Sequence, residues 1–496
     1  MRALLPRASK ARWLLAGVFS ALLAACGSPV GPDYQLPPDA VVRQPGAPAA
    51  FDRAAASASS VASAGPLPPH WWRLYRDREL DALVERALQY NTDLRQAAAN
   101  LERVQAIAAG VEAADGVDVG LNAAPVYGHV SGLSLLQPGY EPPSRGLAGA
   151  GVNLSYELDL FGQLKRASEA ADAGSEAAQA ALDLARVNVA GETTRAYAEA
   201  CAAGLRLRTT QQSIALQQEA LDVAQRLQRA GRVGMLDVGR AQAQLRQLQA
   251  AVPSVQAQRH AALLQLQTLA GAIPNDPHQA LPATVTNCEQ PPLLTQRLPV
   301  GDGAAMLRRR PDLRQAEREL AAATARIGVA TADLYPRVKF GLSASSAGPS
   351  SDFGARDTIA WNVGPLISWT LPNTGAVQSR IAQAGAETRA ALARFDGKVL
   401  SALRESEVAL DAYGRGLERR DALAAARDAT ATVAQQARLL YRSGKTGYLE
   451  ALDAERSLAS ADAALADMQA QLAQDQVRVF MALGGGWEDQ PASAAR

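Results

Sequence analysis

Three carboxylates follow two glycine-rich segments that occupy matching places in the two halves of this chain. Asp237 stands three residues after Gly234, and Glu450 and Asp453 stand three and six residues after Gly447. Residues three apart share a helix face, so Glu450 and Asp453 lie side by side. Repeated around a symmetry axis, such carboxylates form rings that repel anions, attract cations and raise one another's pKa. From the spacing alone, the carboxylates of a solvated helix end are the alternative.

Residues that support catalysis or metal binding are scattered. The 4 histidines lack the spacing of metal ligands, and Gly301-Asp302-Gly303 lacks the third glycine of a dinucleotide-binding loop. The run Arg308-Arg309-Arg310 precedes Pro311 at a helix boundary, where we expect solvated side chains rather than a phosphate site. The sequence therefore predicts no enzyme, no cofactor and no metal site.

The elements that position the carboxylates occur twice. Asp93–Ala97 returns letter for letter as Asp312–Ala316, and Gly231–Asp237 returns in similar form as Gly444–Glu450. Each half has a short helix, two alternating strands and a long helical hairpin, so the duplication predicts one pseudo-symmetric, elongated body. We divide it into a first repeat, 70–290, a second repeat, 291–484, and a tail, 485–496. The formal charge of +1, with signs interleaved, argues against nucleic-acid binding.

The N-terminus predicts export and lipidation. Basic residues precede the apolar run Trp13–Ala25, which has the layout of a signal peptide over 1–25. Leu23-Ala24-Ala25-Cys26 resembles a bacterial lipobox, in which Cys26 carries a lipid and holds the protein to outer-membrane lipid as a tether. An ordinary signal with an incidental cysteine is the alternative. Residues 26–69 are rich in Pro, Ala and Ser and predict an extended linker that forms no core of its own and lies against the body of the protein.

Two further cysteines, Cys201 and Cys288, occur in the exported part of the chain. Such a pair can form a disulfide in an oxidising compartment. Two buried thiols are an equally reasonable alternative.

Four segments of about ten residues alternate between apolar and polar residues, at about 117–127, 150–161, 336–346 and 360–371. This alternation suits a transmembrane barrel with an apolar outside and a polar inside. Four strands cannot close a barrel, so it must be shared between subunits. A soluble sandwich would show the same alternation.

Two proline-poor stretches rich in helix formers predict long hairpins, at about 163–271 and 375–483. Reversal of a helix requires residues that accept positive φ, which places the turns at two glycine pairs, Gly231 with Gly234 and Gly444 with Gly447. Leucines at seven-residue spacing from Leu458 give the second hairpin a coiled-coil seam. From the helices alone, a lipid-anchored periplasmic coiled-coil protein without a channel is an equal alternative.

Taken in order, several motifs resemble the outer-membrane efflux protein family, the TolC-like channel-tunnels, in its lipoprotein branch of NodT type. The resemblance covers essentially the whole mature chain. Its motifs are Cys26 with Val30–Tyr34, Trp72-Arg73, Tyr156–Gly162, Arg309–Arg314, Ala325–Ala330 and Tyr335-Pro336.

The resemblance implies a mainly α fold with a membrane β-barrel: a homotrimer whose chains share twelve strands and form a helical periplasmic tunnel. An inner-membrane pump and a periplasmic adaptor are the implied partners, and the adaptor docks at Gly231–Gly234 and Gly444–Gly447. Asp237, Glu450 and Asp453 are expected to line the closed tip, with Tyr441 in polar links that hold it shut. The sequence departs from the family pattern at Thr446 and at Arg240, which replaces the acid equivalent to Asp453.

Overall fold

A computed structural model describes residues 29–47, 62–63, 65–129, 131–294, 296–301, 303–369, 371 and 374–485. The predicted signal peptide, the lipidation site Cys26 and all but the first residue of the predicted tail lie outside the described residues. None of the helices within these ranges is both long and apolar enough to cross a membrane.

The two predicted hairpins are pairs of helices whose ends lie within a few residues of the predicted bounds. The first pair is α3, Gln163–Arg229, and α4, Met235–Leu269, which continues through Pro253. The second pair is α8, Thr374–Arg442, and α9, Tyr448–Ala482. The outgoing helices have 67 and 69 residues, which at ~1.5 Å per residue is about 100 Å each.

Five shorter helices complete the α-helical content of the described residues. They are α1, Arg78–Tyr90; α2, Thr92–Ala113; α5, Ala283–Thr286; α6, Gly303–Arg309; and α7, Pro311–Ala332. Short 3-10 helices occur at Val41–Arg43, Trp71–Tyr75, Gly132–Leu135, Pro277–Gln279 and Arg356–Thr358. The start of α1 is fixed by Asp77, whose carboxylate accepts hydrogen bonds from the first-turn N–H groups of Glu79 and Leu80.

The four alternating segments form one antiparallel sheet in the order β2-β3-β5-β6. Its strands are β2, Asp118–Gly128; β3, Arg145–Leu158; β5, Arg337–Pro349; and β6, Ile359–Ser368. β3 begins five residues before its predicted start because three of those five residues, Gly146, Ala148 and Gly149, are small and carry no alternation signal. β1, Ala62–Ser63, pairs separately in parallel with β4, Leu298–Pro299.

The register of the sheet gives it two different faces, as the alternation predicts. One row across the four strands is apolar and consists of Val119, Leu154, Leu342 and Val363. The adjacent row is small or polar and consists of Gly120, Asn153, Ser343 and Asn362. Within the polar face, the Nδ2 amide of Asn153 donates to Oδ1 of Asn122 over 3.3 Å.

Two compact units cut across the two repeats. The strand unit comprises the described residues within Met1–Leu36, Glu102–Ala177 and Glu317–Arg394, and the helix unit those within Pro37–Leu101, Ala178–Ala316 and Phe395–Arg496. Each unit contains parts of both repeats, because strands from the first half pair with strands from the second. The duplication therefore produces interleaved cores rather than one core per repeat.

In the strand unit, Asp333 ties the helices to the strands. Its carboxylate accepts hydrogen bonds from Nε2 of Gln163 at 2.9 Å and from Nη2 of Arg337 at 3.0 Å. Nη1 of Arg380 lies 3.1 Å from the other oxygen. Because these residues belong to α3, β5 and α8, one side chain fixes three elements where helix meets strand.

The described part of the proline-rich segment lies against the folded chain, as we expected, and it also contributes buried side chains to a core. In the helix unit, Ala40 and Leu67 are 1% and 3% exposed. The following Trp71 stacks on Phe480 of α9 with ring centroids 4.5 Å apart. Burial of these apolar side chains removes them from water, which outweighs the unfavourable local composition.

Arg310 is also different from the solvated boundary residue that we expected. Its side chain is buried in the helix unit, where Nε and Nη2 donate to the two carboxylate oxygens of Asp312 at 3.0 and 2.8 Å. Nη1 donates to the carbonyl oxygen of Ala482 at 2.8 Å, and Nη2 also donates to Glu405 at 2.9 Å. The guanidinium thus joins the start of α7 to α8 and to the end of α9.

Cys201 and Cys288 form a disulfide in the helix unit, with their Cα atoms 4.7 Å apart. Cys201 lies on α3 and is fully buried, and Cys288 lies just after α5. The bond ties the segment that connects the two repeats to the long helix of the first repeat.

Candidate functional site

Both hairpins turn through the same backbone motif. Gly231 has φ 70°, and the N–H of Arg232 donates to the carbonyl of Leu227 over 2.9 Å. Gly444 has φ 69°, and the N–H of Lys445 donates to the carbonyl of Leu440, also over 2.9 Å. A left-handed residue followed by this long backward hydrogen bond is the Schellman ending of a helix. The repeated glycine therefore marks the same stop signal twice.

The second glycine of each pair has a different role from the one we expected. Gly234 and Gly447 have φ −84° and −75°, which is extended backbone and not the left-handed region. Each is the N-cap of the returning helix, where glycine is accepted because the backbone leaves the helical region. The requirement for positive φ therefore applies only to the first glycine of each pair.

Two of the predicted acids stand at the third position of their helices. Asp237 of α4 and Glu450 of α9 both lie in the first turn, where a negative charge is favourable against the helix dipole. Asp237 is partly buried and lies 3.7 Å from Nη1 of Arg240. The chain thus pairs the first-repeat acid with the residue that replaces the expected second acid.

Glu450 and Asp453 are both exposed and lie on the same side of α9. Within the part of the chain that the structure describes, neither carboxylate has an ion-pair partner. The Glu450 carboxylate lies over Gly447, so that a Cβ at position 447 would sit 2.7 Å from Oε2. The two acids of the second turn therefore lack the ion-pair partner that Asp237 has in the first turn.

Tyr441 is buried in the single chain. It is 6% exposed, its ring centroid lies 5.4 Å from that of Tyr448, and its hydroxyl has no hydrogen-bond partner among the described residues. Burial, together with Tyr448 and the carboxylates of Asp237 and Glu455, raises the pKa of Tyr441 to about 12. The hydroxyl is therefore a proton donor without an acceptor in the single chain.

An apolar cluster beneath the turns joins all four long helices. Its buried members are Leu221, Ala224, Ala241, Leu245, Tyr441, Tyr448, Ala451 and Leu452. Nε2 of Gln217, a buried side chain of α3, donates to the carbonyl of Ala241 at 3.2 Å and lies 3.5 Å from the hydroxyl of Tyr448. The two turns are therefore packed on one common core.

Sequence reasoning missed the polar links just behind this core. Nε of Arg438 donates to Glu455 at 3.2 Å, between α8 and α9, and the Glu455 side chain is 10% exposed. Burial raises the pKa of Glu455, and the Arg438 guanidinium opposes that rise. Nε of Arg456 also donates to Gln244 at 2.8 Å, between α9 and α4. A signal was available in the sequence. Arg438 and Glu455 have opposite charges and stand at similar numbers of residues before and after the turn, so they face each other across the hairpin.

Comparison with known proteins identifies this arrangement. The family model described as outer membrane efflux protein matches residues 83–272 and 304–485. Nodulation protein T of Rhizobium leguminosarum bv. viciae is 29% identical, covering 97% of this chain and 95% of that protein. The probable outer membrane lipoprotein SilC of Salmonella typhimurium is 28% identical, covering 94% of this chain and 97% of that protein.

A solved structure of the outer-membrane channel OprN superimposes with a TM-score of 0.83 at 37% identity. The superposition covers 92% of this chain and 99% of the OprN chain. Because the family model spans most of the sequence and the channel structure matches nearly all of it, the chain belongs to the outer membrane efflux protein family and is an outer-membrane efflux channel.

Proposed function

We propose that three copies of this chain form the outer-membrane duct of a tripartite export system. An inner-membrane pump and a periplasmic adaptor deliver small molecules, which pass through the duct without chemical change. The proposed duct uses no cofactor and carries a covalent lipid on Cys26. The resemblance of residues 23–26 to a lipobox supports that lipid, and SilC, a similar protein, is described as a lipoprotein.

The observation that carries the proposal is the two-faced sheet. Its apolar row suits contact with lipid, its polar row suits contact with water, and β2 and β6 are its edge strands. Edge strands offer backbone donors and acceptors to another chain, which allows three sheets to close into one shared barrel. The alternative, a lipid-anchored structural coiled coil, has no use for such a sheet.

The helix turns are the proposed gate and docking site. Threefold repetition of Glu450 and Asp453 would place rings of negative charge at the narrow end of the duct, with Asp237 partly neutralised by Arg240. Tyr441 would join the polar links that hold the tip shut, and because its hydroxyl is buried in the single chain, a link to an adjacent chain requires that side chain to turn outward. The turns at Gly231–Gly234 and Gly444–Gly447 would meet the adaptor.

Single-channel recording in planar bilayers tests the proposal. We expect small, cation-preferring openings from the purified protein, and a weaker cation preference in Glu450→Gln combined with Asp453→Asn. Glu418→Gln is the matched control, because Glu418 is an exposed acid of α8 remote from the turns in sequence. A folded protein without any conductance would favour the structural coiled coil, and unchanged selectivity in the double variant would remove both acids from the conduction path.

A further inference from the structure

The first described residues of the chain are held tightly in the strand unit. The side chain of Arg166, on α3, is only 3% exposed. Its guanidinium donates to the backbone carbonyls of Val30 and Gly31 at 3.1 and 3.2 Å and to the carboxylate of Asp33 at 2.7 Å. Glu169 accepts the remaining bond at 2.7 Å. A buried cation with this many partners fixes the path of the chain around it.

Close backbone packing fixes the same segment independently. Gly31 has φ 88° and lies so close to Gly328 that a Cβ on Gly31 would overlap the backbone of α7. The N–H of Val30 donates to the carbonyl of Phe161 over 3.0 Å, and Pro29 packs on Gly162. Residues 29–33 therefore lie where β3 ends and α3 begins.

Tyr34 closes the far end of this segment. Its hydroxyl donates to Glu317 at 3.0 Å, its ring packs on an alanine cluster formed by Ala173, Ala321 and Ala322, and the Arg318 guanidinium lies 5.5 Å from the ring centroid. These contacts hold against the strand unit a segment that has too few apolar residues to form a core of its own.

The distance from this segment to the lipidation site is short. Cys26 is three residues before Pro29, and a chain of that length reaches about 10 Å when extended. A lipid on Cys26 is therefore confined near the end of β3, whereas a loose leader of the same composition would let it attach far away.

We infer that Arg166 is a positioning residue for the lipid anchor, which sets the depth at which the sheet enters the membrane. By holding residues 30–33, it makes the acyl chains enter the bilayer at the level of the strand end, so that the apolar row of the sheet is presented to the same leaflet. The inference rests on the proposed lipidation and on the proposed membrane insertion of the sheet.

The test uses the full chain in outer membranes and reads out the fraction of protein whose sheet is protected from protease. The variants are Arg166→Met, eight Gly and Ser residues inserted between Cys26 and Pro29, and the two combined. The insertion changes no residue that contacts the strand unit, so it lengthens the tether while the clamp stays intact. Arg389→Met, at an exposed position of α8 in the same unit, is the control.

We expect Arg166→Met and the insertion each to lower the protected fraction several-fold. The combined variant should have a protected fraction no lower than either single variant, and the control should match the natural protein. Formation of the Cys201–Cys288 disulfide reports folding of the helix unit, and the insertion, which leaves the contacts of Arg166 unchanged, keeps the inference testable if Arg166→Met disturbs the strand unit itself. An insertion variant that behaves like the natural protein would overturn the inference, and so would an unaffected Arg166→Met.

Mass spectrometry of the natural protein separates the two levels of failure. An unmodified Cys26 would refute the lipidation itself and, with it, the inference. A lipidated Cys26 combined with normal insertion of the lengthened chain would refute the positioning role alone.

Discussion

The two helix turns share a backbone but not a chemistry. Each ends its outgoing helix at a left-handed glycine and starts its returning helix at an extended one. Met235 follows the first turn and is 70% exposed, whereas the equivalent Tyr448 is 3% exposed. Duplication thus preserved the geometry of reversal, which depends on glycine, and left the side chains free to diverge.

Charge divides the turns in the same way. In the first turn Asp237 has Arg240 as a partner, and in the second the equivalent pair, Glu450 and Asp453, is acid beside acid. Behind the second turn lies the ion pair of Arg438 and Glu455, while the equivalent positions of the first hairpin carry Gln225 and Gln242. The second turn therefore contributes a buried ring, two adjacent acids and a nearby ion pair. The first turn contributes mainly the reversal of the chain.

Truncation of the equivalent residues Tyr448 and Met235 should give the largest difference in stability between the two turns. Tyr448→Ala deletes a buried ring from the common core and should lower the free energy of unfolding by about 3–5 kcal/mol. Met235→Ala deletes an exposed side chain and should change it by less than about 0.5 kcal/mol. Denaturant titration in detergent measures both, and equal losses would show that the turns are energetically equivalent.

Substitution of the glycines tests what the turns share. Gly231→Ser and Gly444→Ser force a left-handed conformation on a residue with a Cβ and should each cost roughly 1–2 kcal/mol. Gly234→Ser places a favoured N-cap residue at an extended position and should be neutral within about 0.5 kcal/mol. If Gly234→Ser proved as costly as Gly231→Ser in thermal unfolding, the division of roles within each pair would be wrong.

The free energy of unfolding should depend on pH through Glu455, which lies behind the second turn. Its pKa in the folded protein is raised above the ordinary 4.5, mainly by burial. The folded state therefore binds this proton more tightly than the unfolded state does. The resulting contribution to stability is fully present below pH 4.5 and is lost as the pH rises through the raised pKa of the folded protein. Glu455→Gln should flatten that part of the pH profile, and Gln242→Glu, at the exposed equivalent position, should add no comparable slope. An unchanged profile in Glu455→Gln would contradict the assignment.

The smallest effect should come from the ion pair of the first turn. Arg240→Gln removes a partner at 3.7 Å that is partly exposed, so stability should change by less than about 0.5 kcal/mol. The freed carboxylate of Asp237 should nevertheless increase the cation preference of single channels. A decrease in that preference would place Asp237 away from the conducting path.

Much of the fold could be read from local patterns. Helix formers with little proline predicted the hairpins, alternation predicted the strands, and the glycine pairs predicted the turns, because each of these depends on residues close in sequence. The start of β3 escaped detection because Gly146, Ala148 and Gly149 carry no clear apolar or polar signal.

Contacts between distant residues could not be read in this way. Arg310 looked solvated because its partners Glu405 and Ala482 lie 95 and 172 residues away. Arg166 gave no signal for the same reason, since Val30 is 136 residues earlier. Spacing along one helix reveals a face but not the partner that covers it, so burial and ion pairing in the candidate gate needed three-dimensional information.

The disulfide of the first repeat bears on the order of events in biogenesis. Cys201 and Cys288 are 87 residues apart, and a bond between them forms only where thiols are oxidised, outside the cytoplasm. The segment connecting the repeats is therefore secured to α3 only after export. Translocation carries a chain that still lacks this cross-link, and oxidation completes the helix unit on the far side of the inner membrane.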